Sequence, residues 1–203
     1  RLDVAGRDLN PAGIEYRTES LKPDAKFVSN RAYAKNFERF LEDLDQDQPF
    51  CFWLGTYEPH RPFESGVGMR KGKDASEVKV PPILPDNEIV RNDLLDYLTE
   101  VEHFDSMVEK AIESLDVAGV LDNTLVVITS DHGMPFPRAK ASLYDDGSHV
   151  PLAIRWPKGI RQPGRVVSEP VNLSDLAPTF LKAAGLDVPS EMTAESLLAF
   201  FDA

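Results

Sequence analysis

Two polar clusters in the sequence each follow an apolar run directly. EPHRPF (58–63) comes after FCFWLGTY (50–57), and SDHG (130–133) comes after TLVVIT (124–129). Ligands of open α/β sheets bind beyond the carboxyl ends of the strands, so both clusters are candidates for chemistry. If the two runs are neighbouring parallel strands, the clusters meet at one edge of the sheet.

The second cluster contains an acidic and a basic side chain at consecutive positions, and both types bind metal ions. Asp131 offers a hard oxygen that suits Ca²⁺ or Mg²⁺, whereas His132 offers a nitrogen that is better matched to Zn²⁺ or another transition metal. Gly133 allows the backbone to turn tightly and leaves room for a ligand. A turn-capping aspartate beside a surface histidine explains the same tripeptide, so the tripeptide alone does not decide.

Two further side chains are suited to an anionic substrate. His60 lies between two prolines, and the stiff backbone suits a group that must be positioned for proton transfer. Lys140 follows on the loop beyond Asp131 and would neutralise an anion there, with Arg138 as a rival for the same task. Taken singly, each of them is also explained as an ordinary solvated loop residue.

Periodicity predicts the elements that would position these residues. Apolar residues at helical spacing predict helices over 31–44 and 94–115, the second ending near Gly119. Continuous apolar runs predict strands buried on both faces at 50–57 and 124–129. The remaining predictions are a long connection over 58–90, a strand at 150–157, an extended segment at 165–171, and a helix capped by Ser174 or Asp175 that ends at Gly185. Helices alternating with short strands indicate an α/β domain, with a mainly parallel sheet flanked by helices.

Composition limits the function classes. The chain has 203 residues, 42% of them hydrophobic, and a net charge of −12, which argues against general nucleic-acid binding. Cys51 is the one cysteine, so it forms no internal disulfide, and its apolar neighbours predict a small core residue. No apolar run approaches the length that spans a bilayer. The chain begins Arg-Leu-Asp without an initiator methionine, and we expect a processed product or an internal fragment.

Four segments in order resemble the sulfatase family of the alkaline-phosphatase-like superfamily, over roughly residues 31–190. They are FCFWLGTYEPHRPF, TLVVITSDHG, KASLYDDGSHVPLAIRWP and NLSDLAPTFLKAAGLDVP. Within that family, PHRPF and DHGMPFPRAK resemble the heparan N-sulfatases, which are N-sulfoglucosamine sulfohydrolases. The resemblance implies an alkaline-phosphatase-like fold and hydrolysis of sulfate esters or N-sulfates, with a sulfated small molecule or glycan as substrate. It also suggests export to the periplasm, the cell exterior or the lysosome.

The resemblance also implies roles for the residues that match its motifs. Asp131 and His132 take the positions of the second pair of ligands of a Ca²⁺ ion, and Lys140 matches the cation that contacts the sulfate. His60 matches the histidine near the scissile bond, for sulfate contact or for protonation of the leaving group. Arg61 would lie at the substrate rim, as would Glu58. Arginine is common where His149 stands, so that position departs from the family pattern.

The family's nucleophile motif, C-x-P-S-R with a cysteine oxidised to formylglycine, does not occur in this sequence, and neither does its N-terminal Asp-Asp pair. We therefore expect residues 1–203 to be a single partial catalytic domain, with residues 1–30 as an irregular lead-in. The nucleophile segment and the C-terminal subdomain of the family would lie elsewhere. A lone Asp-His pair supplies too few ligands for Ca²⁺, so we expect this chain alone to be inactive and to bind divalent cations weakly.

Two other functions stay open from the sequence. A phosphatase or phosphonate monoester hydrolase of the same superfamily is favoured by His132, since D-H-G also suits a transition-metal site. A non-catalytic glycan-binding relative is the alternative from another class. The identity of the nucleophile in the whole protein distinguishes these readings from a sulfatase.

Overall fold

The computed structural model describes residues 13–45 and 48–202, which form two compact units. The first unit, described from residue 13 onward, runs to Ala118 and adds Ser130–Val150. The second unit consists of Gly119–Thr129 and the residues from Pro151 onward. Every residue predicted for the site lies in the first unit.

Helices build the first unit. In chain order they are α1 (Tyr33–Asp43), α2 (Val67–Arg70), α3 (Glu88–Val117) and α4 (Asp145–Ser148), with a 3₁₀ turn at Ala75–Glu77. Both α1 and α2 pack against α3, which is the longest element. The predicted helices over 31–44 and 94–115 are therefore confirmed as α1 and α3.

The ends of α3 follow from local chemistry. Asn87 caps its first turn, because its side-chain oxygen accepts a hydrogen bond from the Val90 amide at 3.1 Å. The helix stops before Gly119, whose φ of 71° lies in the left-handed region that glycine adopts at low cost. Between these ends α3 buries one apolar face; its buried apolar residues are Leu94, Leu95, Met107, Ala111 and Leu115.

The predicted strand at 50–57 is wrong. The segment forms no ladder with a neighbour among the described residues, and its side chains alternate between partly covered and exposed. Phe52 packs on Phe37 with a centroid separation of 4.8 Å, whereas Trp53 is 89% exposed. Cys51 is also exposed, so its prediction as a core residue is wrong too. The apolar composition of the segment reflects one partly covered face, and no neighbouring strand pairs with it among the described residues.

The second unit contains one pair of strands, β1 (Val126–Thr129) and β2 (Leu152–Arg155). They confirm the strands predicted at 124–129 and 150–157, but they pair antiparallel, with Val126 opposite Arg155. The mainly parallel sheet predicted from the sequence is therefore not found in the part of the chain that the structure describes. Parallel neighbours need a crossover connection, and segment 50–57, the expected companion of β1, carries no ladder.

A short helix, α5 (Leu176–Ala183), follows a 3₁₀ turn at Leu173–Asp175. Asp175, one of the two predicted residues, occupies the N-cap position of α5, although its side chain makes no capping hydrogen bond to that helix. Asn172 caps the 3₁₀ turn: its side chain accepts from the Ser174 amide at 3.1 Å, and the Asp175 carboxylate accepts from the Asn172 amide at 2.8 Å. Gly185 ends the helix with a φ of 72°, as predicted.

Two observations remain, one on segment 165–171 and one on membrane-spanning helices. The segment 165–171, predicted to be extended, is assigned no strand. None of the described helices is both long enough and apolar enough to cross a membrane.

Candidate active site

The turn that carries His60 is anchored by a buried carboxylate. Glu58 is 4% exposed and accepts hydrogen bonds from the Ser29 amide at 2.6 Å and the Tyr33 hydroxyl at 3.0 Å. The His60 amide donates to the Tyr57 carbonyl at 3.1 Å, which closes the turn. Glu58 therefore holds the backbone of the turn and is not available at the substrate rim.

The His60 ring has a defined tautomer because of its two neighbours. Its Nδ1 lies 2.6 Å from the Arg61 carbonyl oxygen, which can only accept, so Nδ1 carries the hydrogen. Its Nε2 then presents a lone pair, and the Lys140 Nζ donates to it at 3.2 Å. The structure thus brings together two of the residues that the sequence predicted, 80 positions apart in the chain.

Lys140 stands at the end of a tightly hydrogen-bonded loop. The Phe136 amide donates to the Met134 carbonyl at 2.8 Å, and the Lys140 amide donates to the same carbonyl at 3.1 Å. Ala139 is fully buried beneath the loop, whereas Arg138 is exposed, with a left-handed φ of 66°. Of the two rival cations, Lys140 is therefore the one that contacts His60.

The Arg61 guanidinium makes several contacts at once. Its Nε donates to the Pro135 carbonyl at 2.8 Å, its Nη1 donates to Asp93 Oδ1 at 3.1 Å, and its Nη2 forms a short ion pair with Asp93 Oδ2. The ring centroids of Phe63 and Phe136 lie 4.6 and 4.7 Å from its central carbon. Arg61 therefore connects the His60 turn with α3 and with the Lys140 loop.

Asp131 and His132 lie side by side, with His132 Nε2 3.6 Å from Asp131 Oδ2. His132 Nδ1 lies 2.7 Å from the Gly133 carbonyl, so Nδ1 carries the hydrogen and Nε2, on the side of Asp131, carries the lone pair that a metal ion would use. Gly133 approaches α4 so closely that an added Cβ would overlap the Asp146 carbonyl, which explains the glycine. Among the residues that the structure describes, no hydrogen bond or ion pair joins this pair to His60 or Lys140.

The donors around Asp131 fit part of a metal site. The Asp131 carboxylate is 85% exposed, so it is available to an ion. Within residues 13–45 and 48–202, no group of three or more His, Cys, Asp and Glu side chains is placed to hold a metal. Two side chains are far fewer than the six to eight oxygens that Ca²⁺ takes, so the pair fits as two ligands of a larger set.

A depression of about 580 Å³ opens beside Lys140. Its lining residues are Arg61, Leu84, Pro85, Val90, Asp93, Pro135, Phe136, Pro137 and Lys140. Apolar and proline side chains form most of the wall, and the charges there are Lys140 and the Arg61–Asp93 pair. The depression is large enough for a ring attached to an anionic group that Lys140 contacts.

Asp93 and Tyr57 are site residues that the sequence analysis missed. Asp93 lies 32 positions from Arg61 and reads as one more acidic residue in an amphipathic helix. The Tyr57 ring lies 5.3 Å from the His60 ring, but in the sequence it reads as the end of the apolar run.

Comparison with known proteins defines the class. The sulfatase family model matches residues 4–186, and the chain belongs to the sulfatase family. Among curated relatives, it is 33% identical over 173 residues to human N-sulphoglucosamine sulphohydrolase, covering 75% of this chain and 34% of that protein. It is 30% identical over 145 residues to an ulvan-active sulfatase of Formosa agariphila, covering 70% and 24%. The chain thus spans about a third or less of the length of these relatives.

Solved structures support the same fold. A solved structure that belongs to the metabolism of multiple glycosaminoglycans by Bacteroides thetaiotaomicron superposes on this chain with a TM-score of 0.73. The two are 26% identical, and the match covers 83% of this chain and 38% of the other. A phosphonate monoester hydrolase from Silicibacter pomeroyi superposes with a TM-score of 0.66 over 92% of this chain and 47% of the other. Its identity is 21%, so this second likeness shows the fold alone. The sulfatase family predicted from the sequence is confirmed, and the sulfatases among these structural neighbours have the alkaline-phosphatase-like fold.

Proposed function

We propose that this chain forms part of the active site of a sulfatase that hydrolyses sulfate esters or N-sulfates of a sulfated glycan. The contact between Lys140 Nζ and His60 Nε2, 3.2 Å long and beside the depression, carries the proposal. It places a positive charge next to a proton-accepting nitrogen, and the two groups can stabilise the charge of a sulfate and transfer a proton to its leaving group. The names of the human and Formosa relatives, which refer to N-sulphoglucosamine and ulvan, support a sulfated glycan as substrate.

In this mechanism Lys140 binds a sulfate oxygen and neutralises the charge that grows there in the transition state. His60 takes up a proton from solvent at Nε2 and donates it to the leaving oxygen or nitrogen as the bond to sulfur breaks, while its Nδ1–H stays on the Arg61 carbonyl. Asp131 and His132 would help to hold a divalent cation, Ca²⁺ by family resemblance, which supplies further positive charge to the sulfate. The attacking group belongs to a segment outside this sequence, as do further metal ligands and the strands that would extend the sheet into a mainly parallel one.

Two consequences belong to the same proposal. The 203-residue chain alone turns over no sulfate, because it lacks the C-x-P-S-R motif and a full ligand set. The whole protein acts outside the cytosol, in the periplasm, the cell exterior or the lysosome, as the family resemblance implies.

The second candidate is a phosphatase or phosphonate monoester hydrolase, and His132 favours it. A nitrogen ligand beside a carboxylate suits a transition metal better than it suits Ca²⁺. Metal titration distinguishes the two: Ca²⁺ binding that weakens in Asp131→Asn supports the sulfatase, whereas Zn²⁺ or Mn²⁺ binding that also requires His132 supports the phosphatase. A full-length protein that binds glycans without turnover would support the non-catalytic relative.

The proposal is tested with the full-length protein that carries this sequence, on an aryl sulfate, N-sulfoglucosamine and an aryl phosphonate. We expect turnover of a sulfated substrate, and a loss of roughly 10²–10³-fold in kcat for Lys140→Ala, as for removal of one charge-stabilising donor. Arg138→Ala is the matched control, because Arg138 is an exposed cation of the same loop, and it should stay within about twofold. Equal activity of Lys140→Ala and the unsubstituted protein would refute the proposal, and preference for the phosphonate would support the second candidate.

A further inference from the structure

We propose that Arg61 and Asp93 act as a clamp that positions His60 and Lys140 against each other, instead of contacting the substrate. The proposal rests on the proposed function, because it concerns the geometry of the same site. It changes the role expected for Arg61 from substrate binding to positioning, and it adds Asp93 to the residues on which the reaction depends.

The first step of the argument is that the guanidinium is already occupied. Three of its five N–H groups point at oxygens of the protein, two at Asp93 and one at the Pro135 carbonyl. The Asp93 carboxylate compensates its charge through a two-point ion pair, the strongest arrangement for this side chain. An anionic substrate would have to displace that carboxylate in order to gain the same contacts.

The second step is that Arg61 controls both partners of the His60–Lys140 contact. Its main-chain carbonyl accepts the Nδ1–H of His60 at 2.6 Å, which fixes the plane of the ring. Its side chain holds the Pro135 carbonyl at 2.8 Å, and Pro135 follows Met134, the residue whose carbonyl accepts the Lys140 amide. One residue therefore joins the imidazole to the loop that bears the ammonium.

The third step is that α3 supplies the rigid support. Asp93 lies in the second turn of a helix of 30 residues, so the backbone that carries its carboxylate is held in place by the helix. The rings of Phe63 and Phe136 lie within 4.7 Å of the guanidinium centre and restrict its movement. A shift of about 1 Å between catalytic groups costs as much as 10²-fold in rate, which makes such a support functionally important.

The ion pair between Arg91 and Asp86 provides a matched control. It is also a two-point pair, at 2.6 and 2.8 Å, and Arg91 also holds the Ala75 carbonyl at 2.8 Å. It begins on the same helix, but it contacts neither the His60 turn nor the Lys140 loop. Asp86, the partner of Arg91, directly follows Leu84 and Pro85, which line the depression, so a change at Arg91 can alter substrate binding there. The control is therefore compared through kcat and amide exchange and not through KM.

The test compares Asp93→Asn, Arg61→Lys, the double variant and Arg91→Lys in the full-length protein. Turnover of the preferred sulfated substrate is measured together with hydrogen exchange of the His60 and Lys140 amides. We expect both clamp variants to lower kcat by about 10–100-fold with KM within about threefold, and to speed exchange of both amides by about 10-fold or more. The double variant should lose no more than the worse single variant, because the two residues act as one unit. Arg91→Lys should leave kcat and both amides within about twofold.

Three results would overturn the clamp. The first is unchanged exchange at both amides in Asp93→Asn, whatever the turnover. The second is additive losses in the double variant. The third is a rise in KM for Arg61→Lys, larger for more highly sulfated substrates, with Asp93→Asn unaffected, because that pattern indicates a substrate contact.

If Asp93→Asn does not fold, Arg61→Lys is assessed through the same two amides. If the unsubstituted protein hydrolyses no sulfate and the clamp variants still exchange both amides faster than it does, the proposed function is refuted and the clamp is not.

Discussion

Replacing Glu100 by glutamine should stabilise the protein at neutral and alkaline pH and remove a pH dependence of its stability. Glu100 is 3% exposed, and its Oε1 has no hydrogen-bond partner. Burial, together with the nearby negative charge of Glu58, raises the pKa of the Glu100 carboxyl from 4.5 to about 7. The carboxyl is therefore neutral in the folded protein at pH values at which the unfolded chain has already ionised it.

The raised pKa fixes the sign and the size of the effect. The contribution of Glu100 to the free energy of unfolding is fully present below pH 4.5 and is lost as the pH rises through about 7. With about 1.4 kcal/mol per pKa unit, the loss amounts to about 3 kcal/mol at full ionisation. A glutamine does not ionise, so Glu100→Gln should gain up to that amount over the unsubstituted protein between pH 4 and pH 8.

The assay is urea denaturation of the two proteins at several pH values across that range. The difference between them cancels the contributions of all other titrating groups. Glu109→Gln, on the exposed side of the same helix, is the control and should change stability by less than about 0.5 kcal/mol at every pH. A Glu100→Gln difference that stays constant from pH 4 to pH 8 would show that Glu100 is ionised in the folded state and that the reasoning is wrong.

Two further predictions concern packing and buried hydrogen bonds. Gly68→Ala should destabilise the protein by about 1–3 kcal/mol, because a Cβ there would lie 2.5 Å from the Leu95 Cβ and 2.7 Å from its carbonyl oxygen; a thermal midpoint equal to that of the unsubstituted protein would contradict this. Thr179→Val should cost about 1–3 kcal/mol, since the fully buried Thr179 hydroxyl accepts from the Leu197 amide at 2.8 Å and donates to the Asp175 carbonyl at 2.6 Å. Thr179→Ser keeps the hydroxyl and should retain most of the stability in urea unfolding, and a loss equal to that of Thr179→Val would exclude the hydrogen bonds as the cause.

The sequence predicted the elements whose determinants are local. Helix α3 shows regular apolar spacing, a capping asparagine and a terminal glycine, all of which act within a few residues of the helix ends. The strands β1 and β2 were likewise placed from short apolar runs. The strand prediction for segment 50–57 is wrong because it was made from a continuous run of apolar residue types. In the structure Phe52 is partly covered and Trp53 is exposed, and residue type alone does not distinguish the two.

The chemistry of the site was partly predictable for the same reason. His60 and Lys140 could be singled out by residue type and position, and the structure places them in contact. Their route to each other differs from the predicted one: instead of meeting at the edge of a parallel sheet, they are joined through Arg61, Asp93 and the Pro135 carbonyl. Such contacts join residues 32 or more positions apart, and no local pattern in the sequence encodes them.

The most direct test of the central claim is the leaving-group dependence of His60→Ala in the full-length protein. If His60 donates a proton to the leaving group while Lys140 binds the sulfate, the substitution should lower kcat by about 10²–10⁴-fold for sulfated sugars, whose leaving groups need protonation. The loss should be small for a nitrophenyl sulfate, whose leaving group departs unprotonated. An equal loss for both substrates, or no loss for the sugar, would contradict the account.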